Sequence, residues 1–130
     1  MYAVYHRQSG HCLVQQVKLA DRLLARTIGL LGRRRLSPEQ GLWLSPCSAV
    51  HTHFMLFSID VIFLSAEHEV LALYATLPPF RMTRLIRRAQ SALEIAAGTL
   101  LGCNLAVGDY LEFRRQPENE LRKGALDGQA

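Results

Sequence analysis

Two histidines, two acids, a cysteine and an arginine stand where chemistry could be done. His51 and His53 form an H-x-H pair inside the longest apolar run of the chain, residues 50–64, VHTHFMLFSIDVIFL. On a strand this spacing sends both imidazoles to one face, which is how a metal site begins, and Cys47 or Asp60 could add a third ligand. Asp60 lies between Ile59 and Val61, and Glu94 between Leu93 and Ile95. A carboxylate in such company is either a buried acceptor for backbone N–H groups or a group that burial turns towards acid–base use. If their strands are neighbours, the two acids are a candidate carboxylate pair. Cys47, four residues before His51, suggests a Cys–His nucleophile. No third orienting residue accompanies it, and a thiol more often packs as a small hydrophobe. Arg33, beside Arg34 and Arg35, could clamp a carboxylate or phosphate if it turns inward.

The elements that must hold these residues read mostly as strands. In the apolar run, Val50, Thr52, Phe54 and Leu56 alternate with His51, His53, Met55 and Phe57, and a turn near Ser58 leads to 59–64. Both faces are apolar, as in a strand covered on both sides. Residues 2–7 and 12–19 flank Ser9-Gly10 as a β-hairpin, and further strands are expected at 41–44, 70–75 and 110–113. Asp21 opens a helical segment in which Leu23, Leu24, Ile28 and Leu31 recur at helical spacing, and 99–107 reads as a second short helix. The signals conflict between 83 and 97. Leu85, Ile86, Ala89, Leu93 and Ala96 fall at helical spacing, whereas a turn followed by a strand at 92–96 is the alternative.

A length of 130 residues with 49% apolar and 20% charged residues describes one ordinary globular β-rich domain. That domain is expected over 1–114, followed by a polar, frayed tail over 115–130. No apolar run reaches the length of a membrane span, and the N-terminus carries no signal-peptide pattern. Three cysteines without a CxxC fit reduced thiols, so a cytoplasmic location is expected. The net charge of +4 comes almost wholly from arginines, clustered at 33–35, 81–88 and 114–115. A solvated surface explains them most simply; no RNP, helix-turn-helix or zinc-finger pattern accompanies them, so nucleic acid is not the expected partner.

An ordered series of short motifs resembles the domain-of-unknown-function family 192. It runs through Arg26-Thr27-Ile28-Gly29-Leu30-Leu31-Gly32-Arg33, Gly41-Leu42, Pro46-Cys47, His51-Thr52, Met55 and residues 59–64. Pro78, Ala89, Leu93-Glu94, Ala97-Gly98 and Gly108-Asp109 complete it. The resemblance implies a mainly-β fold, an antiparallel β-sandwich or distorted barrel with two short helices, and it places 92–96 on a strand. It implies no activity. Members of the family usually follow the threonine with an aromatic residue and glycine, where this chain has His53-Phe54.

These residues lead to a first expectation of a binding or accessory module. In it His51, Thr52, Met55, Asp60, Glu94 and Arg33 line a pocket for a small polar ligand or a protein segment, without a cofactor. A second expectation is a metal-dependent or acid–base hydrolase using His51 and His53 with Asp60, Glu94 or Cys47. Non-specific binding of nucleic acid or an acidic partner through the arginines is the third.

Overall fold

Segments of β-branched and aliphatic residues, five to nine residues long, become the seven strands of one sheet. The computed structural model describes residues 1–20, 36–52 and 55–117. Its strands are β1 (Tyr2–His6), β2 (Cys12–Ala20), β3 (Gln40–Leu44), β4 (Ile59–Leu64), β5 (Val70–Leu77), β6 (Ser91–Ala96) and β7 (Leu111–Arg115). They are hydrogen-bonded in the order β5-β4-β6-β3-β2-β1-β7. All neighbours are antiparallel except β2 and β3, which pair in parallel from Gln16↔Gln40 to Ala20↔Leu44.

Of the expected sandwich or distorted barrel, the structure shows a single curled sheet, a half-barrel. Its edge strands meet at one end, where Glu69 and Tyr110 form an antiparallel bridge. The Val70 N–H donates to the Asp109 carbonyl at 2.7 Å, and the Gly108 N–H donates to the Val70 carbonyl at 2.9 Å. Bulges in β2 and β5 supply the bending that such curling needs.

Two apolar clusters lie on the two sides of this sheet. The first draws on six strands: Val4, Val14 and Val17, Ile62 and Leu64, Val70, Leu93 and Ile95, and Leu111, with Trp43 of β3 packed against it. It is the interior of the curl. The second lies on the outer face of the middle strands, where Leu42, Leu44, Ile59, Val61, Phe63 and Ala92 are covered by loop residues Leu36, Val50, Met55 and Ile86. Strands β4 and β6 therefore have apolar neighbours on both faces, and every residue in them is buried.

Residues 91–96 form a strand, as the family resemblance implied, and cross-strand pairing with β3 and β4 overrides the local helical period. Other expectations change. The second expected helix is a single 3-10 turn, Leu100–Gly102, and no α-helix occurs among the described residues. The first, from Asp21, lies outside them. Residues 50–57 do not continue as a strand: His51 makes one bridge to Met82, and the Met55 N–H then turns back to the Thr52 carbonyl at 3.2 Å. The turn buries Met55 and leaves Leu56 63% exposed, which breaks the expected alternation. Of the expected tail, 118–130 lies outside the described residues.

Gly41 marks the tightest crossing of the middle strands. A Cβ there would stand 3.2 Å from the Glu94 carbonyl oxygen and from Val17 Cγ2, and 3.3 Å from Ile95 Cγ2. Replacement by alanine should lower stability by about 1–3 kcal/mol through overpacking. The expected result is a lower urea midpoint with an unchanged slope.

Candidate functional site

Asp60 and Glu94 sit on adjacent strands but on opposite faces. In the β4–β6 register Asp60 faces Ile95, and Val61 faces Glu94. Ile95 belongs to the interior cluster and Val61 to the outer one, so the two carboxyls are separated by the sheet itself. The expected carboxylate pair does not form.

Asp60 is fully buried, and each oxygen of its carboxyl accepts one backbone N–H on the interior side. One oxygen, Oδ1, accepts the Thr76 N–H at 2.7 Å, and Oδ2 accepts the Leu100 N–H at 2.8 Å. The first of these donors has a reason to need help. Strand β5 carries one extra residue between Ile59↔Leu77 and Val61↔Tyr74, with Thr76 at φ 53, so the ladder cannot take up its N–H. Asp60 thus fastens the bulge in β5 and the 3-10 turn to β4. It is an architectural acid.

Glu94 has the opposite character. It is 5% exposed on the outer face of β6, beside Leu42 and Val61 across the strands. Its neighbours along the same face, Ala92 and Ala96, have side chains of one carbon. Among the described residues nothing hydrogen-bonds to its carboxyl and no charged group acts on it. Burial alone pushes its pKa from 4.5 up to about 7.

The loops covering this face hold Thr52 and Met55. The Thr52 hydroxyl donates to the Pro78 carbonyl at 2.6 Å and accepts the Arg81 N–H at 2.9 Å. Thr83 does the same work further on, accepting the Val50 N–H at 2.9 Å. These two threonines, both buried, zip 47–52 to 80–90. Met55, 4% exposed, packs in the outer cluster with Val61 and Ala92, the surroundings of Glu94.

His51 is exposed, not buried in a strand as its place in the apolar run suggests. The Cys47 thiol donates to the Ala49 carbonyl at 3.1 Å. Arg33 and His53 lie outside the described residues. Among the described residues, no three His, Cys, Asp or Glu side chains gather closely enough to hold a metal.

Two further groupings carry no signal in a linear reading, because they join residues far apart in the chain. His6 Nε2 lies 2.9 Å from Asp109 Oδ2, and His6 Nδ1 lies 2.7 Å from Ser9 Oγ. Asp109 also accepts the Ala106 N–H, and that bond together with His6 holds its pKa below the usual carboxylate range. The Ser9 hydroxyl is shared with the His11 N–H at 3.1 Å, so the row ties the first hairpin to the start of β7. The second grouping is aromatic. Trp43 stacks on Phe113 at 3.9 Å between centroids, with Tyr2 and His68 edge-on to the indole. The buried Trp43 Nε1 has no hydrogen-bond partner among the described residues, nor has Ser91 Oγ.

A family model for domain-of-unknown-function family 192, an uncharacterised group, matches residues 4–113. The chain belongs to this family. It is 34% identical over 106 residues to a UPF0127 protein of Pyrococcus furiosus, an alignment covering 77% of this chain and 88% of that one. The fold is similar to that of a protein of unknown function from Novosphingobium aromaticivorans, with a TM-score of 0.74 and 20% identity over 85% of this chain and 82% of the other. It is also similar to a Sinorhizobium meliloti protein for which a role as transcription regulator has been suggested. There the TM-score is 0.73, with 22% identity over 86% of this chain and 91% of that one. At these identities the structural likeness speaks of fold alone.

In this family member the two acids should respond to substitution in different ways. Asp60→Ala should cost about 1–3 kcal/mol in urea unfolding, because the part-buried Thr76 and Leu100 N–H groups lose their acceptor. Glu94 is instead a source of pH dependence. Its folded pKa of about 7 stands above the ordinary 4.5, so the folded state holds the proton more tightly. The stability this contributes is complete below about pH 4.5 and is lost as pH rises through 7, a total of about 3 kcal/mol. In Glu94→Gln that decline should vanish. The stability difference between the two proteins, measured by urea unfolding from pH 4 to 9, should fall between about pH 4.5 and 7, by about 1.4 kcal/mol per pH unit at most, and level off above 7.

Proposed function

We propose that this domain is a binding module whose recognition group is the Glu94 carboxyl, set in apolar ground beneath the loop cover. One contrast supports this reading. Asp60, fully buried, has two backbone donors, whereas Glu94, 5% exposed, has no described partner and two alanines beside it. Buried acids that serve only architecture are supplied with donors by their own fold. Here a ligand would supply them, through an ammonium, guanidinium or amide N–H carried on an apolar body. Such a ligand would find the carboxyl ready to ionise near neutral pH and would stabilise the charge.

In this reading Met55 and the Thr52 turn form one wall, and Arg33 remains a further contact for a ligand with an anionic end. His51 stands outside, at the rim. Asp60 serves the frame. The whole of 1–114 acts as one unit, and the three free cysteines support a reducing, cytoplasmic setting. A carboxyl titrating near 7 is also suited to general acid–base catalysis, which is the second reading. That reading needs a reacting partner beside Glu94, with His53 as its candidate.

The probes are n-butylammonium, n-butylguanidinium and butyramide, added to isotope-labelled protein at pH 8. Amide signals of Ala92, Glu94, Ala96 and Met55 should move with the two cations, and these shifts should disappear in Glu94→Gln. Unmoved signals in the wild type, or equal shifts in the variant, would remove Glu94 as a recognition group.

A further inference from the structure

The outer surface of the loop cover has a composition that its inner surface does not explain. Between Glu69 and Glu94 the sequence holds four arginines and no acid, and residues 45–58 of the facing loop hold no acid or lysine or arginine. Within 80–88 only Thr83 and Ile86 point inward and are buried. Everything else in that stretch faces water. Phe80 is 62% exposed, Met82 71% and Leu85 71%, with Leu56 at 63% in the facing loop. Arg81, Arg84 and Arg87 alternate with them and are exposed. Among the described residues none of these three arginines takes part in an ion pair, while Arg88 lies 4.0 Å from Glu69. The Met82–His51 bridge and the Thr52–Arg81 hydrogen bonds hold the two loops side by side, so the residues form one surface.

We propose that this surface docks the protein on an anionic lipid bilayer, with Phe80, Met82, Leu85 and Leu56 entering the headgroup boundary and Arg81, Arg84 and Arg87 on the lipid phosphates. Charge complementarity selects the occupant, because a surface whose described residues include three arginines without an ion pair and no carboxylate among 45–58 and 80–88 attracts an anionic partner. The apolar residues then separate lipid from nucleic acid. Phe80 is the one aromatic face for base stacking among the four, while Met82, Leu85 and Leu56 offer none, and hydrocarbon accepts all of them. Their spacing among arginines is that of interfacial segments, with apolar anchors between cations that stay at headgroup level. The docking is peripheral, since no helix among the described residues is long and apolar enough to cross a membrane. It does not depend on the Glu94 site, because its side chains point away from that carboxyl.

Co-sedimentation with vesicles decides the matter. The full chain should pellet with phosphatidylcholine vesicles containing about one-third phosphatidylserine, and not with phosphatidylcholine alone. Salt at about 0.5 M should weaken the binding severalfold. Met82→Ser with Leu85→Ser should lower the partition coefficient about tenfold. Arg81→Gln, Arg84→Gln and Arg87→Gln together should lower it about 100-fold, at about fivefold for each charge removed. Both sets replace exposed side chains, so unchanged urea midpoints serve as the control for folding. Absence of wild-type binding, or equal binding to both vesicle types, overturns the proposal. So does salt-dependent binding to generic duplex DNA that survives the Met82/Leu85 substitutions while vesicles are ignored, and this last result would assign the surface to nucleic acid.

Discussion

A strand covered on both faces gives its polar side chains no water. Strands β4 and β6 are in this position along their whole length, and each carries one acid. For such a residue the fold must either provide donors or leave the group without one and its pKa raised. It does the first for Asp60 and the second for Glu94. The difference follows from what each face has nearby. The interior contains a bulge and a tight turn whose N–H groups have no strand to bond to, and Asp60 meets both needs together. The outer face around Glu94 is regular ladder with its N–H groups already used, so side chains and loops are the only sources of donors there.

The loop cover repeats this division between inside and outside over a shorter distance. Its polar groups bond chiefly within the cover, through Thr52, Thr83 and the backbone pairs between 47–52 and 80–90. Its hold on the sheet comes largely from Val50, Met55 and Ile86 packing on the outer cluster. Hydrogen bonds from Gln90 to the Leu64 carbonyl and from Ser45 to the Ala20 carbonyl tether its ends. Apolar packing has no preferred direction. The polar groups of the cover are thus largely satisfied within it, and its fit on the sheet rests on apolar packing.

How much of this was legible in the sequence depended on whether neighbours in the chain are neighbours in space. Most strands were legible because their apolar alternation or unbroken apolar runs are local properties. Residues 59–64 announced two-sided burial by being apolar on both faces, and the buried Asp60 in their midst suggested a pin. For the segment 91–96 periodicity pointed to a helix and the family resemblance to the strand that forms, since alanines and leucines at helical spacing are also what a doubly buried strand requires. The run 50–57 misled for the opposite reason: its residues suit a strand, but the Thr52 turn diverts it. Whether Asp60 and Glu94 share a face could not be read at all, because it depends on a register that pairs residues more than thirty positions apart. The contact of His6 with Asp109 spans 103 positions and was equally invisible.

The features that support the two proposals lie on one side of the sheet. The interior is occupied by side chains from all the strands, and its one acid is fully engaged. The outer side presents a carboxyl without a described partner, a cover held mainly by packing, and a cationic, apolar exterior on that cover. None of these three features is what stability alone would select. A donor beside Glu94, acids among the arginines and polar residues in place of Met82 and Leu85 would each suit a domain that only had to fold and stay dispersed. Features that work against stability and dispersal, gathered on a single face of an otherwise well-satisfied fold, are the physical argument for placing the work of this protein there.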